Sequence, residues 1–258
     1  MRTLSSTMSE EQIRIGEKPF RILCVSDLHA RMSWLNWLLE VSANYDCITI
    51  AGDITDIGIS MTYAHGHKIK NYFNLFSCPV VFSEGNHESW CTGWWNGFCS
   101  VQSGKNLHLP GHFRQIGPLC FVSFVYRGKN SIPHITARQF WVAHEPPFRS
   151  ITGRIGASFF SACQTSIDFL RKKHQPLFYH CGHIHEAPWD GGRWYERLGN
   201  TWAFNTGSYS NLGTGKGIFV PPHIVIEYFN AQNFSLTWHD PLNGYTETVS
   251  SQDMDTNT

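Results

Sequence analysis

The residues best suited to chemistry are histidines, aspartates and one asparagine that follow apolar runs. The run Pro176-Leu177-Phe178-Tyr179-His180-Cys181 leads straight into Gly182-His183-Ile184-His185. Side chains at i and i+2 share a face in extended chain, so His183 and His185 can project to one side. Gly182 permits an unusual backbone path there, and neutral imidazole is the commonest protein metal ligand. The same arrangement recurs upstream. Asp27 and His29 follow Phe20–Val25, Asp53 follows Cys47–Ala51, Asn86 and His87 follow Pro79–Ser83, and His144 follows Phe140–Ala143. A single strand-end aspartate is commonly a turn residue, and a single histidine a satisfied core group. Five such clusters in one chain point to a shared site. Carboxylate, amide oxygen and imidazole together suit Mn, Fe or Zn better than Ca or Mg, and no thiolate joins them as in a structural zinc site. The set is too large for one tetrahedral ion. It fits two ions sharing a carboxylate, the clamp used for in-line displacement at phosphorus.

The elements that must position these residues read as α/β. The runs after which the first three clusters stand are expected strands. Helices are expected over Met32–Ala43, with Ser33 as cap, and from about Tyr63 to Phe76. Three strand–helix units in succession argue for a parallel sheet. Further strands are expected at Leu119–Tyr126 and Phe140–Ala143, and a helix at Ala157–His174. After His185 come short strand-like pieces: Trp194-Tyr195, Thr201–Phe204, Gly217–Val220, His223–Tyr228 and Phe234–Trp238. A hairpin is expected around Asn230-Ala231-Gln232-Asn233. Residues 1–18 read as a flexible lead-in, 19–242 as a single domain, and 243–258 as a polar, disordered tail.

The series Asp27-Leu28-His29, Gly52-Asp53, Gly85-Asn86-His87-Glu88, His144, Gly182-His183-Ile184-His185 resembles the calcineurin-like metallophosphoesterase superfamily. That resemblance covers residues 27 to 185 in the expected order. It implies a four-layer α/β/β/α sandwich with two mixed β-sheets and a dinuclear site at one edge. It further implies that Asp27, His29 and His185 hold one metal, that Asn86, His144 and His183 hold the second, and that Asp53 bridges them. A metal-bridging hydroxide would attack phosphorus, and His87, not a ligand, would serve the leaving group. Two departures narrow the match. Ser26-Asp27-Leu28-His29-Ala30 and Gly52-Asp53-Ile54-Thr55-Asp56-Ile57-Gly58 differ from the Ser/Thr protein phosphatase motifs, Ile57 standing where those have arginine. Asp56 stands where purple acid phosphatases have tyrosine. What remains resembles the small bacterial-type members, which include cyclic-nucleotide-type phosphodiesterases.

Composition bounds the partners. The chain has 258 residues, with twenty basic and twenty acidic side chains giving a formal charge of zero. Bulk attraction to nucleic acid or an acidic membrane is therefore not expected, and no apolar run approaches the ~18 residues of a membrane span. Cys24, Cys47, Cys120 and Cys181 lie in apolar runs, where cysteine packs as a small hydrophobe. No Cys-x-x-Cys pair or signal peptide accompanies them, which fits reduced thiols in a cytoplasmic protein. A small phosphoester is the expected substrate. A nuclease of the same superfamily and a non-catalytic interaction protein are the alternatives, and the intact ligand set weighs against the latter. Arg149 and Arg154, following His144, are candidate phosphate contacts. Trp90, Trp94, Trp95 and Phe98 could wall a substrate pocket, although packing beneath a loop is the commoner use of such a stretch.

Overall fold

A computed structural model describes residues 18–56, 69–90, 106–127, 138–159, 175–209 and 217–253. Its strands are β1 (Phe20–Val25), β2 (Cys47–Ala51), β3 (Val80–Ser83), β4 (Leu107–His108), β5 (Phe113–Ile116), β6 (Leu119–Ser123), β7 (Gln139–Val142), β8 (Arg154–Ile155), β9 (Ser158–Phe159), β10 (Phe178–Cys181), β11 (Tyr195–Leu198), β12 (Thr201–Asn205), β13 (His223–Asn230), β14 (Asn233–Asp240) and β15 (Tyr245–Ser250). They form two large mixed sheets. One has seven strands in the order β15-β14-β13-β1-β2-β3-β4, the other six in the order β11-β12-β10-β7-β6-β5. β1 to β4 run parallel, as do β6, β7, β10 and β12. The parallel segments of both sheets thus send their carboxyl ends to one edge of the molecule, where ligands of α/β sheets collect.

Both faces of β1 are buried, which explains its unbroken apolar run. Ile22 and Cys24 join the core between the sheets, with Phe121, Phe140, Phe178, Phe204 and Ile226. Leu23 and Val25 face outward, where Trp34, Leu35 and Leu38 of the helix Met32–Val41 pack on Ile48, Ile50 and Phe82. The outer face of the six-stranded sheet carries Val122, Trp141, Tyr179 and Ala203. Cys24, Cys47, Cys78, Cys120 and Cys181 are buried free thiols. No helix among the described residues is long and apolar enough to cross a membrane.

Several local expectations are corrected. The first helix begins without a side-chain cap, Arg31 rather than Ser33 standing at its N-terminal boundary. Ser158 and Phe159 pair with Arg154 and Ile155 instead of opening a helix, and the rest of the 157–174 helix lies outside the described residues. Of the 63–76 helix, residues 63–68 lie outside the described residues, 69–73 are helical and 74–76 are not. Gly217–Val220 is not a strand. The expected disordered tail contains β15, which pairs with β14 from Ser250 opposite Ser235 to Tyr245 opposite Asp240. The N-terminal lead-in lies outside the described residues.

Candidate metal centre

Each ligand candidate sits just beyond a strand, Asn86 opening the short helix Asn86–Trp90 and the others in loops or turns. Asp27, His29, Asp53 and His183 all have left-handed backbone, with φ of 52°, 45°, 52° and 67°. Such conformations in non-glycine residues cost on the order of 1–3 kcal/mol and persist only where the surroundings hold them. Here the loops brace one another. Asp27 N–H donates to Gly52 O (3.1 Å), His29 N–H to Asp53 O (2.9 Å), and Gly182 N–H to His144 O (2.9 Å). His183 N–H in turn donates to the Asp27 carboxylate, 3.1 Å from each oxygen. Asn205, at the end of β12, donates to the carbonyls of Ile184 (3.0 Å) and Thr152 (2.9 Å), fixing the turn between His183 and His185.

Glu88 ties two of these turns together. Its Oε2 accepts from the amides of Asp53 (2.9 Å) and Gly85 (2.8 Å). Its Oε1 accepts from the amide and hydroxyl of Thr55, at 3.0 and 3.1 Å. One buried carboxylate thereby joins the loop bearing Asp53 to the loop bearing Asn86 and His87. Asp53 Oδ1 is held by the His87 amide at 3.0 Å, which leaves Oδ2 facing the imidazoles.

Ligand atoms of three overlapping groups lie within 4.8 Å of one another: Asp27, His29 and His185; His29, Asp53 and His87; and Asp53, His144 and His183. His185 Nε2 is 3.2 Å from Asp27 Oδ1 and 3.0 Å from His29 Nε2. His144 Nε2 is 2.9 Å from Asn86 Oδ1, 3.0 Å from His183 Nδ1 and 3.3 Å from Asp53 Oδ2. Since Nδ1 of His144 donates to Ala51 O at 2.8 Å, its Nε2 is the atom turned to the cluster. A proton there serves one of three surrounding acceptors, whereas a cation serves all four atoms at once. A donor set of this kind fits a metal ion.

The electrostatics agree. Burial alone would raise the Asp27 carboxyl, but His185, His144 and His29 outweigh it and hold Asp27 below the ordinary carboxylate range. Burial likewise opposes, and His144 overcomes, in lowering Asp53. Against its own burial, His144 is pushed up to about 10 by the Asp53 charge. His183 is pushed down to about 4, by burial first and by His144 next. The Asp53 charge thus favours a proton on His144, and a metal binding there competes with that proton.

The structure thus brings together Asp27, His29, Asp53, Asn86, His87, His144, His183 and His185. Arg149 and Arg154 make contacts within their own loop. The Arg149 guanidinium lies over the Phe148 ring, 5.3 Å from its centre. Arg154 donates to Gly156 O at 2.6 Å and lies over Phe159. Arg127 is linked to the ligand residues through a neighbour. It lies over the Tyr126 ring, which is 6.0 Å from the His144 ring and 6.5 Å from the His183 ring. Sequence reasoning missed Arg127, Tyr126, Asn205 and the role of Glu88. Asn205 at a strand end carried the same signal as the ligands. Trp94, Trp95 and Phe98 lie outside the described residues.

Two mixed sheets with carboxylates and imidazoles gathered at their common edge define an α/β architecture with a candidate metal centre. Residues 20–187 match the calcineurin-like phosphoesterase family model, and the chain belongs to that family. Among solved structures, the protein TT1561 of Thermus thermophilus superposes with a TM-score of 0.53 at 13% identity, over 90% of this chain and 99% of that one. The purple acid phosphatase PPD1 from yellow lupin superposes with a TM-score of 0.57 at 12% identity, over 89% of this chain and 53% of its own. At these identities the likeness is one of fold. A sequence search of curated proteins finds no match.

Proposed function

We propose that this chain hydrolyses small phosphoesters with two bound cations of the Mn, Fe or Zn type. The observation that carries this reading is the convergence of acceptor atoms on His144 Nε2, continued through Asp53 to His29, His185 and Asp27. Asp27, His29 and His185 would hold one cation, Asn86, His144 and His183 the other, and Asp53 would serve both. When bound, such cations supply charge for the phosphoryl oxygens and make a hydroxide available near neutral pH.

The protein's own groups then divide the work. Glu88 keeps the Asp53 loop from swinging, so the shared carboxylate is already in position. His144 is locked by Ala51 O with one nitrogen turned inward. His87 would serve the departing oxygen as the proton donor. Its Nε2 lies 3.7 Å from Asp53 Oδ2 and its Nδ1 3.8 Å from Asp56 Oδ1. A positioned acid of this kind contributes on the order of 10²–10⁴-fold.

The test is a panel of phosphomonoesters and phosphodiesters after reconstitution with Mn, Fe or Zn, run on wild type and Asp53→Asn. Turnover is expected in the wild type with metal and not after chelation. Asp53→Asn is expected to lose bound metal and activity together. A variant that retained two metals per chain and full turnover would overturn the assignment. Salt-sensitive binding to single-stranded DNA, with no small ester turned over, would indicate a nuclease instead.

A further inference from the structure

We propose that Trp90 walls the leaving-group side of the site and selects phosphoesters whose departing alcohol carries a flat ring, an inference that rests on the phosphoesterase reading above. His87 and Trp90 stand three residues apart on the short helix Asn86–Trp90, a spacing that brings two side chains to one helix face. Their rings are stacked, with centroids 5.9 Å apart and planes 24° from parallel. The His29 ring meets His87 edge-on at 4.7 Å. His87 is buried in this arrangement, yet Trp90 is 64% exposed.

That exposure is the informative feature. Single exposed apolar residues are ordinary on a protein surface. This one is a tryptophan stacked on the imidazole that serves the departing oxygen. Among the described residues it is the exposed aromatic in ring contact with the ligand cluster. An indole in that place gives a planar substituent a surface to lie on, since stacking on an aromatic side chain favours a flat ring of any composition. The flank at His144 and His183 differs in kind. There Tyr126 stands beside His144 and His183, covered by the Arg127 guanidinium, which lies 3.6 Å from Glu145. The Trp90 ring is open to a ligand, whereas the Tyr126 ring is already covered by a guanidinium paired with Glu145. A ring attached to the leaving oxygen therefore belongs with Trp90, on the His87 side.

Shielding of His87 from water is the competing account of Trp90. Shielding would serve every ester alike, whereas a wall serves only those with a ring. Matched leaving groups separate the two. Benzyl and cyclohexylmethyl esters of one phosphodiester have similar leaving alcohols and differ in flatness. A nucleoside ester and its abasic ribose counterpart differ only in the base. In metal-loaded wild type, kcat/KM is expected to favour the flat member, by about 5- to 150-fold if one stacked ring is worth what it is in single-strand binding. Trp90→Ala is expected to erase that preference mainly through KM, leaving turnover of the cyclohexylmethyl ester near wild type, and Trp90→Phe to keep most of it. A preference in the nucleoside pair alone assigns a nucleotide, and one in both pairs assigns any flat ring. If Trp90→Ala keeps the preference, or slows all four esters in equal proportion, the proposal is overturned while the phosphoesterase reading stands. If wild type turns over none of the four or any other phosphoester, the reading beneath it has failed.

Discussion

Glu88 accepts four hydrogen bonds from two different loops and offers no atom to the ligand cluster. Burial, and then the Asp53 charge, push its carboxyl up to about 7, while the amides of Thr55 and Gly85 pull it back. Every group around its two oxygens is a donor. In Glu88→Gln one of those oxygens becomes an NH₂ that faces donors. A buried donor left without an acceptor costs about 1–3 kcal/mol, and the cheapest relief is for one loop to move away. Glu88→Gln is therefore expected to lower the urea midpoint and to lose metal on dialysis, with activity partly restored by excess metal. Metal content by elemental analysis decides it: wild-type occupancy after dialysis would mean that Glu88 does not position Asp53. The sequence made Glu88 visible as part of a motif, but nothing in its spacing revealed that it binds backbone rather than metal. Arg127 was invisible for a similar reason. Its place depends on Tyr126 packing edgewise and tilted beside two imidazoles, which only the folded chain creates.

At the level of elements, legibility followed burial. β1 and β2 have the boundaries that their apolar runs suggested, because both faces of each strand are covered. β14 alternates buried and half-buried along its whole length, and its expected stretch Phe234–Trp238 lies inside the observed Asn233–Asp240. β15, with Thr246, Glu247 and Thr248, has little apolar pattern because it is an edge strand facing solvent, so the same polarity read as disorder. The turns at the strand ends were legible as places for ligands, yet their packing was not. Gly52, at φ 80°, and Gly85 sit where the loops approach most closely. A methyl group on Gly85 would overlap the Asp53 carboxylate and amide. Both are fixed, Oδ1 by the His87 amide and the amide by Glu88, so neither can yield cheaply. Gly85→Ala is expected to unfold at lower urea, by an amount on the order of 1–3 kcal/mol for an overpacked site, and to bind metal at least tenfold more weakly. Calorimetric titration with Mn or Zn measures the second effect. An unchanged affinity would show that the two loops can separate without disturbing the site.

Across the whole molecule, histidine also governs how the fold responds to acid. Among the described residues, three histidines outside the ligand cluster are buried, and burial pushes His180 down to about 3 and His108 and His223 down to about 4. His180 is held between the sheets by Thr49, its ring stacked on Phe204 at 5.3 Å. His223 stands opposite His239 in the β13–β14 pair, their rings stacked at 4.6 Å, with Nδ1 donating to Pro221 O. The sign follows from linkage. A histidine whose pKa is lower in the folded chain takes up a proton more readily when the chain unfolds. Between the unfolded value near 6.5 and the folded value near 4, the unfolded state binds more protons, so stability falls as pH falls. The contribution is complete above about pH 6.5 and is lost through that window, at no more than about 1.4 kcal/mol per pH unit for each group. His223→Phe keeps a flat ring against His239 and the nearby Trp37 but removes the titration. Urea midpoints of metal-free protein at pH 7, 6 and 5 are expected to decline less steeply in the variant than in wild type, whatever the offset between them at pH 7. Parallel declines would mean that His223 is protonated alike in folded and unfolded chains, and that the acid sensitivity belongs to the other buried imidazoles.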